Sequence, residues 1–225
     1  MIKILNILLV VFAFLFFSAC DKDKEIKPTE NQKWYSENYK YLDDEKSVFI
    51  KVDYDKLQEI IDGGESAIIY FGGSWCPNCQ AVVKFVNEIA KEMYLSNIYN
   101  FDTKIDFNGE VRDIRRCNTD SDVQLWSDIV NKIEFSSGNV VMKDEVAVVD
   151  KNGKELSTMP VPTFVVIKEG KVVGQLTEEL FYNPVTNTLW DTNTFDGNEV
   201  TEEFKTKVVS LFTIYDGCTD EECSA

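Results

Sequence analysis

The sequence predicts an α/β fold, with helices packed on a sheet. Three observations carry that prediction. Strand-like and helix-like segments alternate from Ser47 to Ile105 in the order β-α-β-α-β, with short connections. Ala67–Phe71 (AIIYF) is a continuous apolar run between glycine pairs, the pattern of a strand buried on both faces. Thr163–Lys168 and Lys171–Leu176 form a hairpin about Glu169-Gly170.

Each element has its own signal. Ser47–Val52 (SVFIKV) is a short strand. Tyr54–Asp62 carries Leu57, Ile60 and Ile61 at helical spacing, and Gly63-Gly64 stops it. After the buried run, Gln80–Tyr94 places Val82, Val83, Val86, Ile89, Ala90 and Met93 on one helical face. Asn97–Ile105 (NIYNFDTKI) reads as one further strand. From about Asp106 to Glu145 the chain is polar and less regular. Within it Val123, Trp126, Ile129, Val130 and Ile133 mark an amphipathic helix that Asp120 or Ser121 would cap. Val146–Val149 reads as a strand, Asp150–Gly153 as a turn and Met159–Pro162 as a kinked loop. Asn183–Asn198 is a polar excursion, and Val200–Tyr215 is a last helix with Phe204, Val208, Leu211 and Phe212 on its apolar face.

Composition bounds the function. The chain has 225 residues, 39 acidic and 23 basic side chains, a formal net charge of −16, six cysteines and no histidine. At 44% hydrophobic and 28% charged it is globular, with ample material for a core. The acidic excess opposes nucleic-acid binding and adhesion to anionic headgroups, which both run on Lys and Arg. The missing histidine excludes Ser-His-Asp and Cys-His nucleophiles, two-His zinc sites and 2-His-1-carboxylate iron sites. Chemistry here must use cysteine, carboxylate, hydroxyl or backbone.

Residues 1–19 have the form of a signal peptide: Lys3 as a short positive region, an apolar stretch, then Ser18-Ala19 before Cys20. Phe17-Ser-Ala-Cys20 resembles a bacterial lipobox, in which the cysteine is lipidated, although that pattern prefers Leu where Phe17 stands. A plain membrane anchor, or a signal cleaved elsewhere, are the alternatives. All of them place the chain from Asp21 onward outside the cytoplasm. Residues 20–46 then read as a lipid-anchored tether, flexible to about Gln32, with an N-terminal extension, and 47–225 as the folded domain. Trp34, Tyr35, Tyr39 and Tyr41 either pack that extension onto the body or offer a ligand platform; packing is the expectation, since aromatics usually serve burial.

Trp75-Cys76-Pro77-Asn78-Cys79 stands at the step from the buried strand to an amphipathic helix. Two cysteines three residues apart in a first helical turn share a face and can form a disulfide. Cys76 at the N-cap meets free N–H groups and the positive end of the dipole, which lowers its pKa and favours the thiolate. Pro77 suits the first turn, where its missing N–H costs nothing. Cys79 lies a turn deeper, so Cys76 exchanges with substrate and Cys79 resolves the mixed disulfide. The same spacing fits half of a zinc site, completed from Cys117, Cys218 or Cys223, and it fits a structural disulfide. The oxidising location and the strand–helix setting oppose zinc.

Ile68–Cys79 (IIYFGGSWCPNC) resembles the active-site strand and helix start of the thioredoxin superfamily. Val161–Gly174 (VPTFVVIKEGKVVG) resembles that family's cis-proline loop and following hairpin. The resemblance implies a thioredoxin-like fold, a central mixed sheet flanked by helices, with about 106–145 inserted between the CxxC helix and the cis-proline loop. It implies that Cys76 and Cys79 are catalytic and that Trp75, Pro77, Asn78, Val161, Pro162 and Thr163 support them. Pro162 would be cis against the two sulfurs, and the Val161 backbone would pair with an extended substrate. Thioredoxins carry a buried aspartate six residues before the first cysteine, where this chain has Tyr70. The insertion, the lipobox and the terminal cysteines further resemble extracytoplasmic thioredoxin-like lipoproteins of Gram-positive bacteria.

Cys218 and Cys223 can close a small structural loop, which leaves Cys117 as the odd thiol. It follows Arg112, Arg115 and Arg116, the only arginines of the chain, which would activate it unless carboxylates engage them. Engagement is the expectation in so acidic a chain. Two functions follow. One is a membrane-tethered extracytoplasmic thiol–disulfide oxidoreductase that acts on exported proteins with cysteines and turns over with a redox partner. The other is a non-enzymatic accessory or binding lipoprotein on the same scaffold. Neither calls for a cofactor, a metal or nucleic acid.

Overall fold

The computed structural model describes residues 29–42, 46–177, 182–183, 188–189 and 199–216. The expected signal peptide, Cys20, Cys218, Cys223 and most of the 183–198 excursion lie outside them. Among the described residues no helix is long and apolar enough to cross a membrane.

Helix α1 (Glu30–Asn38) begins inside the stretch that composition marks as tether. A capping box starts it: Thr29 Oγ1 accepts the Gln32 N–H at 3.2 Å, and the Gln32 side chain accepts the Thr29 N–H at 2.9 Å. Burial then holds it. Tyr35, Tyr39 and Leu42 are core residues, and Tyr41 and Trp34 are half-buried. Tyr35 stacks on Tyr39 and tilts against Phe49, each at 5.6 Å between ring centres. The Tyr35 hydroxyl donates to Asn100 Oδ1 at 2.7 Å. These aromatics therefore pack the N-terminal segment onto the body.

Strands β1 (Phe49–Val52), β2 (Ala67–Phe71) and β3 (Ile98–Phe101) run parallel, in the order β1-β3-β2. Helix α2 (Tyr54–Gly63) joins β1 to β2, capped by Asp53 and ended by Gly64 in the left-handed region. Helix α3 (Pro77–Glu92) joins β2 to β3. The expected strand Asn97–Ile105 is broken at Asp102-Thr103. Asp102 Oδ1 accepts the Lys104 N–H at 2.9 Å, and the chain turns out of the sheet. It continues as the hairpin β4 (Lys104–Phe107) and β5 (Glu110–Asp113), closed by Asn108-Gly109, both at positive φ.

The insertion is more regular than its polarity suggests. A 3₁₀ turn (Ile114–Arg116) leads to helix α4 (Asp120–Lys132). Its cap is Thr119 and not Asp120 or Ser121, because Thr119 and Asp122 form a reciprocal capping box. Two-residue strands β6 (Met142–Lys143) and β7 (Val146–Ala147) follow, so the expected strand Val146–Val149 shrinks to β7 plus a single bridge from Val149 to Glu155.

Strands β8 (Thr163–Lys168) and β9 (Lys171–Thr177) complete the sheet antiparallel, in the order β1-β3-β2-β8-β9. A small ladder of β10 (Tyr182–Asn183) and β11 (Thr188–Leu189) precedes helix α5 (Glu199–Asp216), which packs on β2, β8, β9 and α3. The sheet is mixed and flanked by helices, as the fold class requires. Tyr70, Phe49 and Phe164 share one aromatic face, while Phe71 and Phe101 meet on the other.

Tyr35→Ala empties a fully buried aromatic site and takes the Tyr35 hydroxyl from Asn100 Oδ1. Urea unfolding is expected to show a loss of about 3 kcal/mol.

Candidate active site

The path from β2 into α3 builds the site. Phe71 ends the strand, Gly72 and Gly73 turn the chain, and Cys76 is the N-cap of α3 with φ −94° and ψ 119°. Pro77 opens the helix, and Asn78 is half-buried beside it. The Cys76 N–H donates to Gly73 O at 3.0 Å, and Cys76 O accepts the Gln80 N–H at 3.0 Å. Glycine is required by close approach. A Cβ on Gly72 would lie 2.6 Å from the Tyr70 hydroxyl, and one on Gly73 would collide with Trp75 and Asp102.

Cys76 is 5% exposed and Cys79 is fully buried. Neither is in a disulfide, and their sulfurs hydrogen-bond. The Val161–Pro162 peptide is cis, and the Cys76 thiol donates to Val161 O at 3.6 Å. Thr163, wholly buried, donates its hydroxyl to Pro160 O at 2.6 Å and fastens the same loop. The structure thus brings together both signatures that the sequence holds 85 positions apart. Trp75 flanks the pair. Its indole N–H donates to Asp102 Oδ1 at 2.8 Å, and Lys104 Nζ stands 4.0 Å over its ring.

Burial dominates the electrostatics of the site. Burial pushes the Cys79 thiol well above its ordinary value, and hydrogen bonds from the Tyr70 hydroxyl and the Gly73 N–H pull against that. Burial also raises Asp102, opposed by the Trp75 indole and the Lys104 N–H. Tyr70, wholly buried on β2, hydrogen-bonds Cys79 and lies 3.4 Å, oxygen to oxygen, from Tyr39.

Beside Cys76 opens a cavity of about 740 Å³, whose lining includes Trp75, Arg115, Arg116, Met159 and Val161. Arg115 shapes its wall. Its guanidinium grips Asp113 at 2.9 and 2.6 Å and donates to Met159 O at 2.7 Å. Arg112 pairs with the buried Asp122 at 3.2 Å, and Arg116 approaches Asp113 at 3.9 Å. The arginines are therefore engaged by carboxylates and do not activate Cys117. Cys117 is buried with φ 51°, and burial, with Asp122 and Asp113 behind it, pushes its thiol up to about 12. Among the described residues no group of three metal-ligating side chains occurs.

Sequence reasoning missed Tyr39, Asp102 and Arg115 as site residues. Asp102 had a signal, a carboxylate directly after an apolar strand; the other two act across long sequence separations.

No model of a known protein family matches the chain, and no curated protein sequence does. Similar solved structures include thioredoxin O2 from Arabidopsis thaliana in its oxidised state, at 15% identity over 74% of this chain and 96% of that one, with a TM-score of 0.35. They include thioredoxin NaTrxh from Nicotiana alata, at 15% identity over 60% and 84%, TM-score 0.32. Thioredoxin from Trypanosoma brucei brucei is similar at 16% identity over 58% and 79%, TM-score 0.31. The thioredoxin-like fold is carried by the chain's own geometry: the mixed sheet flanked by helices, the CxxC at the head of α3 and the cis-proline loop against it.

A thiol held at about 12 is a poor nucleophile near neutrality. Iodoacetamide at pH 8 is expected to leave Cys117 unlabelled in the native protein and to label it in denaturant, read by peptide mass spectrometry.

Proposed function

We propose that the chain is a thiol–disulfide oxidoreductase of the thioredoxin superfamily, held at the outer face of a membrane through lipidated Cys20. One observation carries the redox reading: Cys76 caps a helix against the cis-proline loop, with Cys79 buried one turn further in. The positive end of α3 favours a thiolate at Cys76, without any imidazole. That thiolate attacks a substrate disulfide, and the first substrate sulfur leaves as a thiol while Cys76 forms a mixed disulfide. Cys79 then displaces the second substrate sulfur and closes the Cys76–Cys79 disulfide. Read backwards, the same steps oxidise a dithiol. Substrates are cysteine-containing exported proteins, whose extended segment would lie along Val161 and into the cavity lined by Trp75, Arg116 and Met159. A separate redox partner resets the pair.

Support for the location comes from the Ser18-Ala-Cys20 pattern. Metabolic labelling with a fatty-acid probe, lost in Cys20→Ala, tests it.

Cys76→Ser is expected to abolish insulin-disulfide reduction with dithiothreitol as electron donor. Cys79→Ala is expected to accumulate covalent adducts that reductant releases, visible on non-reducing gels. A Cys76→Ser protein as active as the parent would overturn the assignment in favour of a non-enzymatic scaffold.

A further inference from the structure

Resolution requires Cys79, wholly buried, to act as a thiolate. Tyr70 on β2 stands beside this thiol. Tyr70 is wholly buried, pairs in register with Phe164 and Asn100, and stacks on the Phe164 ring at 4.7 Å. Its ring position is thus fixed on two sides, and its hydroxyl sits under Gly72, where a Cβ would strike it. That hydroxyl hydrogen-bonds Cys79, and the Tyr39 hydroxyl stands 3.4 Å from it. Tyr39 is itself buried and stacked on Tyr35. The groups that face this chain are Cys76 and the Gly73 N–H from α3 and its loop, Tyr35 from α1, and Asp102 after β3.

We propose that Tyr70, backed by Tyr39, is the positioning residue for resolution: its hydroxyl donates a hydrogen bond to the Cys79 thiolate as that sulfur attacks the mixed disulfide. The proposal rests on the redox reading above. A phenol buried this deeply keeps its proton, since burial pushes Tyr70 and Tyr39 well above their ordinary value. Tyr70 is therefore a donor, not a base. When Tyr39 points its O–H at the Tyr70 oxygen, the Tyr70 O–H is free for sulfur, and the first bond polarises the second. The bond between Cys76 and the substrate sulfur breaks, the Cys76–Cys79 bond forms, and the proton given up by Cys79 ends on the departing sulfur. Both phenols finish as they began.

The test uses 5,5′-dithiobis(2-nitrobenzoate). Attack by Cys76 releases one equivalent of the coloured thiol and leaves the mixed disulfide; attack by Cys79 releases the second. The first equivalent is the internal reference for each variant. Tyr70→Phe is expected to slow the second release about tenfold at pH 7 relative to the first, the order of one lost hydrogen bond to a charged group. The deficit is expected to shrink as pH rises, because the midpoint of the pH–rate profile moves up. Tyr39→Phe is expected to shift the profile the same way by about two- to threefold, with circular dichroism confirming the fold of both. A Tyr70→Phe profile that matches the parent overturns the proposal, as does equal slowing at every pH, the mark of a merely structural role. Should Tyr70→Phe not fold, an unmoved Tyr39→Phe profile overturns it. Release of no coloured thiol by the parent overturns the redox reading and this one together.

Discussion

The pairing of Phe71 with Thr163 across the β2–β8 ladder decides where everything else in the site stands. Both strands reach the same end of the sheet at that pair. The chain leaving Phe71 has five residues in which to arrive at Cys76, and the chain entering Thr163 has just passed the cis Val161–Pro162 peptide. Their meeting, Cys76 Sγ against Val161 O, is a result of register. A slip of one residue would also put Tyr70 and Phe164 on different faces of the sheet and break their stacking. The stacked rings of those two residues and the apolar run of β2 hold that register.

The insertion serves the same end of the sheet. Arg115 ties the 3₁₀ turn to the Met159 carbonyl, and the buried Trp126 donates its indole N–H to Ser157 O at 3.1 Å. Both bonds fasten the segment that runs into Pro160, Val161 and Pro162. All three arginines of an acidic chain are gathered here, and each meets a carboxylate of the same insertion. Their role in the fold is to clamp backbone and bury acid, and this is why Cys117, beside them in sequence, gains no activation from them.

What the sequence made legible was local. The glycine-bounded apolar run, the cysteine at a helix start and the Val161-Pro162 hairpin each announce themselves within a dozen residues. What stayed hidden depended on distance or on single capping bonds. The tether reading ran to Gln32 because charge outweighed the Thr29–Gln32 capping box in a polar stretch. The strand through Asp102 looked continuous because one side-chain acceptor, Asp102 Oδ1, redirects it. Tyr70 could be seen as a departure from the family pattern, but its partner Tyr39 is 31 positions away and no periodicity links them. Arg115 likewise reaches across 44 positions to Met159.

The way α1 is stitched to the body has a mechanical consequence. The Asn31 side chain accepts the Lys51 N–H at 2.9 Å and donates to Phe49 O at 2.7 Å, so it closes the edge of β1 as a neighbouring strand would. Gln80, the residue after Cys79, accepts the Lys40 N–H at 2.7 Å and donates to Asn38 O at 2.9 Å and to Ser74 O at 2.7 Å. A pull applied to the chain ahead of Thr29 would enter the body through α1. Its load would pass first to Asn31 at the sheet edge, and then to Gln80 at the shoulder of the thiol pair. The seating of α1 on the body and the alignment of Cys79 therefore share a strut, and tension on one is strain on the other.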